Sequence, residues 1–101
     1  MTVKLVVLYT RPEDAAAFDE HYLAVHAPLV DALPGLLRWE GAVPVSSLDG
    51  GELAHHRMAE LWFADDAALQ AALGSPQGRA TAADYQRIAP PGSRMFVATV
   101  D

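Results

Sequence analysis

The sequence predicts an α+β fold of ferredoxin-like topology, βαββαβ, in which a four-stranded antiparallel sheet carries two helices on one face. Two observations lead to that expectation. Along the chain a β-branched stretch is followed by a long helix-period stretch, two alternating stretches, an Ala-rich helical region and a closing apolar stretch, which is the split βαβ order. The junctions between them hold the Pro, Gly and acidic residues that stop one element and start the next.

Val3 to Tyr9 is short, β-branched and nearly continuous in hydrophobicity, as an interior strand covered on both faces should be. Arg11-Pro12-Glu13-Asp14 breaks that strand and supplies a Pro and two acids suited to a helix N-terminus. The helix that follows is expected to run to about Leu33, with Phe18, Tyr22, Val25, Leu29 and Leu33 on one apolar stripe. Pro28 lies within it and should remove one i to i−4 bond and kink the helix. Leu33-Pro34-Gly35 turns the chain into a second strand, Leu36 to Val45, with Leu37, Trp39, Val43 and Val45 on one face. Ser46 to Leu53, with Asp49-Gly50-Gly51, reads as a hairpin loop, and His55 to Phe63 as the return strand. Centring the loop on the two glycines sets Trp39 opposite Trp62 and Val43 opposite Met58. Ala64-Asp65-Asp66 caps a second helix, Gly74-Ser75-Pro76 interrupts it, and a helical stretch continues to about Ile88. Ala89-Pro90-Pro91-Gly92 stops it before a last strand, Met95 to Val100.

The chain has 101 residues, enough for one domain spanning 1–101 with a modest core and no room for a second. Apolar residues make up 51% of it, yet no run approaches the roughly 20 residues of a bilayer span, so a soluble protein and, by default, a cytoplasmic location are expected. It contains no cysteine, which excludes disulfides, thiolate nucleophiles and Cys-ligated metals. A net charge of −6, with the seven Lys and Arg scattered, argues against a nucleic-acid partner.

Val3, Leu5 and Val7 alternate with Val6 and Leu8, and Phe96 and Ala98 with Met95 and Val97, so neither face of the sheet reads as solvated. Helices on one side leave the other bare, over an area larger than a monomer ordinarily exposes. A second copy packed face to face would cover it, and a homodimer is therefore expected.

The segment Phe18 to Leu29 places two histidines, a tyrosine and a proline within three helical turns. Taking Phe18 as zero and about 100° per residue, Tyr22 lies about 40° round the helix, His26 about 80° and His21 about −60°. Both imidazoles thus flank the apolar stripe, where a side chain reaches a pocket and still titrates near neutral pH. The plainer alternative is a boundary histidine bonded to a backbone carbonyl. About 140° apart, the two could not converge on one metal ion as an i, i+4 pair can. Glu60, set between Ala59 and Leu61, needs a partner if buried: a histidine of the first helix, or an arginine such as Arg38 or Arg57. Tyr9, Trp39 and Trp62, with Met58, are candidates to line a pocket for a flat apolar ligand, although strand aromatics also serve as core. No phosphate loop, nucleophile elbow or dinucleotide fingerprint is present.

Tyr9 with Arg11-Pro12, the block Phe18-Asp19-Glu20-His21-Tyr22 with His26-Ala27-Pro28-Leu29, Leu33-Pro34-Gly35-Leu36, Ala59-Glu60-Leu61-Trp62-Phe63 and Asp84 together resemble the EthD family, over essentially the whole chain. The resemblance implies a dimeric α+β barrel. It also implies a pocket for a small, mostly apolar molecule, since related barrels include muconolactone-type isomerases, polyketide cyclases, cofactor-free monooxygenases and haem-degrading enzymes. Carried residue by residue, it implicates His21, Tyr22 and His26, and gives Glu60 no role.

Three functions are open at this stage. One is a cofactor-independent enzyme of ether, aromatic or polyketide-type metabolism, an isomerase, cyclase or oxidoreductase. In it His26 or His21 would act as general acid/base, Tyr22 would orient substrate and Glu60 would polarise a histidine. Another is a non-catalytic accessory protein that holds a hydrophobic metabolite. Haem binding through His26 is a third, requiring a pocket of porphyrin size.

Overall fold

The computed structural model describes residues Met1–Asp101. Strand β1 (Val3–Thr10) lies at the centre of the sheet, paired antiparallel with β3 (His55–Phe63) on one side and β4 (Arg94–Thr99) on the other. Strand β2 (Leu36–Ala42) pairs antiparallel with β3, so the order across the sheet is β2-β3-β1-β4. The first helical region is α1 (Ala15–His21), a π-helical turn (Tyr22–His26) and α2 (Ala27–Asp31) in direct succession. The second is α3 (Asp66–Gly74) followed by α4 (Pro76–Ile88). This is the α+β ferredoxin-like fold.

Side-chain oxygens begin three of these helices. Asp14, Asp65 and Ser75 each accept a backbone N–H two or three residues into the helix, which satisfies donors that would otherwise be orphaned. Gly35, with φ of +75°, makes the turn into β2. Gly78 is required for packing: a Cβ there would stand 2.0 Å from the Ala72 carbonyl oxygen, so α4 lies against the end of α3 only because this residue has no side chain.

Alternate residues of the central strands, Leu5, Val7, Tyr9, Ala59, Leu61 and Phe63, enter one core with Phe18, Tyr22, Val30 and Leu33 of the first helical region and Leu69 and Ala72 of α3. The other residues point away from it. Val6 is buried yet stands outside that core, Leu8, Met58 and Trp62 are half-buried, and Phe96 is 46% exposed. The sheet therefore has a helix-covered face and an apolar face that no helix covers.

Two expectations about detail are corrected. The second strand ends at Ala42 rather than Val45, and a bulge leaves Leu37 without a partner. The bulge shifts the register, so Arg38, not Trp39, lies opposite Trp62, and Ala42, not Val43, lies opposite Met58. Because side chains alternate with period two, Trp39 falls on the helix side, where its Nε1 donates to Asp31 Oδ1 at 2.7 Å, while Trp62 falls on the far side under the Arg38 guanidinium.

The first helix differs too. The predicted stripe passes through Val25 and Leu29, but Val25 is exposed and the buried positions are Phe18, Tyr22, His26, Val30 and Leu33. The π turn is the cause. Ala27 N–H bonds to the carbonyl of Tyr22, five residues back, so one extra residue enters the turn and the inward face moves along by one. Pro28 follows directly, at the start of α2, where its missing N–H costs least.

Candidate functional site

Between the helix-covered face and the helices lies a cavity of about 210 Å³. Its floor is Leu5, Val7, Ala59 and Leu61, with Met95 of β4 beside them; Val30, Leu33, Leu73 and Tyr85 close it from the helices, and Tyr9, Tyr22 and His26 form a continuous aromatic wall. Twelve of the fifteen lining residues are hydrophobic, so the few polar atoms that reach it determine its chemistry.

The chief one is the His26 imidazole, 4% exposed. Its Nδ1 is 2.8 Å from Asp84 Oδ2, and its Nε2 is 3.4 Å from the Tyr9 hydroxyl. The second Asp84 oxygen, Oδ1, is 2.8 Å from His21 Nε2. One carboxylate on α4 is thus clamped by two imidazoles from the first helix. On a straight helix these would stand far apart, but the wide π turn brings residues five apart nearly into line. The predicted divergence of His21 and His26 is corrected accordingly: they converge on Asp84.

Asp84 is itself 4% exposed. Burial pushes its carboxyl up, but hydrogen bonds from His21 and His26, and then their charge, outweigh that and hold it below the usual carboxylate range. An ionised carboxylate only accepts hydrogen bonds, so both facing ring nitrogens carry protons. His26 thereby carries a proton on Nδ1, and its Nε2 faces the Tyr9 hydroxyl in the cavity wall. The Tyr9 hydroxyl is driven up by burial and by the nearby Tyr22, Tyr85 and Asp84, against a smaller opposing effect of Arg57, and stays a neutral donor. Burial raises Tyr22 and Tyr85 in the same direction.

Of the residues singled out in the sequence, His26, Tyr22 and Tyr9 meet in the cavity wall, and His21 lies behind them on Asp84 with its side chain 31% exposed. Glu60 does not polarise a histidine. It points to the far face and pairs with Lys4 Nζ at 2.9 Å, because it is offset by one residue from the cavity-lining Ala59 and Leu61. Met58 and Trp62 share that far face, and Trp39 borders the core without lining the cavity. At about 210 Å³ the cavity is sized for a single ring rather than for a whole porphyrin enclosed within it.

Asp84 is the residue that reasoning from pattern left without a role. The signal was present in the inward stripe of α4, where Gly78, Thr81, Tyr85 and Ile88 recur at helical spacing and Asp84 stands beside Tyr85. An acid on a buried stripe needs partners, and these are the two histidines.

Comparison with known proteins places this arrangement among others. The model of the EthD domain matches residues 10–91. An uncharacterised 11.0 kDa protein of Rhodococcus erythropolis is 38% identical over 93 residues, covering 92% of this chain and 89% of that one. The crystal structure of an EthD family protein from Bacillus halodurans is 36% identical, covers all of both chains and superposes with a TM-score of 0.93. SnoaB, a cofactor-independent oxygenase from Streptomyces nogalater, shares the fold at 20% identity, with a TM-score of 0.68 over 98% of this chain and 92% of that one.

Proposed function

The chain belongs to the EthD domain family, and from that premise and the cavity's geometry we propose that it binds a small, mostly apolar organic molecule of single-ring size and moves a proton through His26 Nε2. The observation that carries this reading is the Asp84–His26 pair set against an apolar cavity. A C–H or O–H of the bound molecule gives its proton to Nε2 and keeps the electron pair; the resulting imidazolium is stabilised by the Asp84 carboxylate, and the proton is then returned to the same or another atom. Isomerisation and dehydration need nothing more. An oxidation would start from the same abstraction with dioxygen as the oxidant, and the likeness to SnoaB supports such chemistry on this fold without a resident cofactor. His21 holds the other oxygen of Asp84 and so orients the pair.

Single-turnover rates on a panel of lactones and hydroxyquinones test the proposal. His26→Ala should lower any observed rate by about 10²–10⁴-fold, the range a positioned acid/base supplies. Rates unchanged by it would remove the imidazole from the chemistry. The nearly all-hydrophobic lining also favours a second reading, a protein that holds an apolar metabolite without turning it over. A ligand co-purified intact, with no turnover across the panel, would establish that reading.

The same proposal includes a homodimer. The far face, with Val6, Leu8, Met58, Trp62 and Phe96, is too apolar to face water, and a second copy of the sheet is the surface that matches it. Light scattering at micromolar concentration should give twice the chain mass; the single-chain mass would refute the dimer and leave the cavity untouched.

A further inference from the structure

Beside the cavity, two buried polar groups lack protein partners. The Tyr22 hydroxyl, on a residue 1% exposed, makes no hydrogen bond, and neither does Arg57 Nε, on a residue 8% exposed. The Arg57 guanidinium lies 4.5 Å from the Tyr22 ring centroid. Its hydrogen bond to Asp19 Oδ1 is long, 3.4 Å, and that oxygen is shared with His56 Nε2 at 2.9 Å. A buried cation is thus only partly compensated, a costly state unless something else completes it.

The Tyr22 hydroxyl and the far end of the Arg57 guanidinium both approach Gly41. An atom standing where Gly41 lacks a Cβ would lie 3.6 Å from the Tyr22 hydroxyl oxygen and 3.9 Å from Arg57 Nη1. Gly41 pairs across the sheet with Ala59, which belongs to the cavity floor. Gly41 does not itself line the cavity; Tyr22 does, and its hydroxyl end reaches towards Gly41.

We propose that the notch at Gly41 is an oxyanion subsite: it receives an anionic oxygen, carboxylate or enolate, of the molecule held in the cavity, with Tyr22 and Arg57 as its donors. The proposal rests on the reading of the cavity as the ligand site and narrows the ligand class. Ring-sized organic acids and enolisable carbonyl compounds complete the buried cation, whereas hydrocarbons and simple ethers do not. Burial keeps the Tyr22 hydroxyl protonated and therefore a donor. In a proton abstraction by His26, the C–H bond breaks towards Nε2 and the electron pair moves onto the carbonyl oxygen, which becomes the enolate oxygen seated here.

Two substitutions separate the notch from the cavity. Tyr22→Phe deletes a hydroxyl that has no protein partner to lose, so its melting temperature should match or exceed that of the wild type. Gly41→Ala fills the notch with a methyl group whose tightest neighbour, 3.3 Å away, is the ring edge of Trp39. Benzoate and toluene serve as charged and apolar probes of one size, titrated by NMR or calorimetry at neutral pH. Benzoate should bind the wild type more tightly than toluene, and each variant should weaken benzoate about tenfold, as expected for one charged hydrogen bond, while leaving toluene unchanged. If toluene binds but benzoate does not, or if both variants hold benzoate as well as the wild type does, the subsite is refuted and the cavity stands. If neither probe binds, the cavity reading falls and the subsite falls with it.

Discussion

Asp84→Asn is the substitution that most directly perturbs the geometry of the site. The carboxylate is 4% exposed and accepts two hydrogen bonds of 2.8 Å, one from His26, equally buried, and one from the half-exposed His21. An amide of the same shape keeps one acceptor but turns a donor towards the other imidazole. One charge-assisted bond becomes a neutral one and the second becomes a donor–donor contact. Hydrogen bonds to charged groups contribute about 1.5–3 kcal/mol, and the solvent-screened His21 side falls at the low end, so a loss of about 3 kcal/mol is expected. For a domain of this size that lowers the melting temperature by roughly 12–24 °C at neutral pH. The pH dependence carries its own sign. Because the folded carboxyl lies below its ordinary value of 3.8, its stabilisation is fully present above that value and is lost as pH falls through the lower, folded value. The gap between wild type and variant should therefore narrow as a series of thermal melts by circular dichroism is carried below pH 4. A variant that melts within about 2 °C of the wild type at pH 7, or a gap that widens in acid, would show that the clamp does not hold the helices together.

Other substitutions probe the frame around the site. Gly78→Ala drives a Cβ to within 2.0 Å of one carbonyl oxygen and 2.6 Å of another at the α3–α4 junction, and should cost at least about 3 kcal/mol in a urea titration. Leu69→Ala, at a fully buried position under α3, should cost about 2–5 kcal/mol by the same measurement without changing oligomeric mass. Phe96→Asp, on the uncovered sheet face, should convert a dimer to a folded monomer in light scattering and leave the cavity-lining residues in place. Ser75→Ala removes the cap of α4 and should lower stability by about 1 kcal/mol.

Much of the fold was legible because it depends on local pattern. The return strand His55–Phe63 was bounded by the glycine-bearing loop before it and the acidic helix cap after it, and the break at Gly74-Ser75-Pro76 by its turn chemistry. Register was not legible, since one unpaired residue, Leu37, decides which of two tryptophans faces the helices, and nothing in the local sequence marks it as a bulge. The π turn was hidden for a related reason. Pro28 signals a disturbed helix, but whether the ladder loses a bond or gains a residue is settled by packing. Here packing favours placing His26 inside and Val25 outside. That single inserted residue sets the two histidines on one carboxylate, so a straight-helix wheel could identify them as candidates and still misjudge their relation. For Glu60 the strand's alternation does not say which face the helices cover, so a histidine or an arginine was expected where Lys4 is the partner.

The central claim is that the cavity roofed by the π turn, and no other surface, receives the ligand. Methyl NMR of the protein titrated with toluene examines it directly. The account predicts that the methyl signals of Leu5, Val7, Ala59, Leu61 and Met95 shift together with the His26 ring, while Val6, Leu8 and Met58 on the opposite face stay still. Shifts confined to Val6, Leu8 and Met58, or no saturable shift at all, would contradict it.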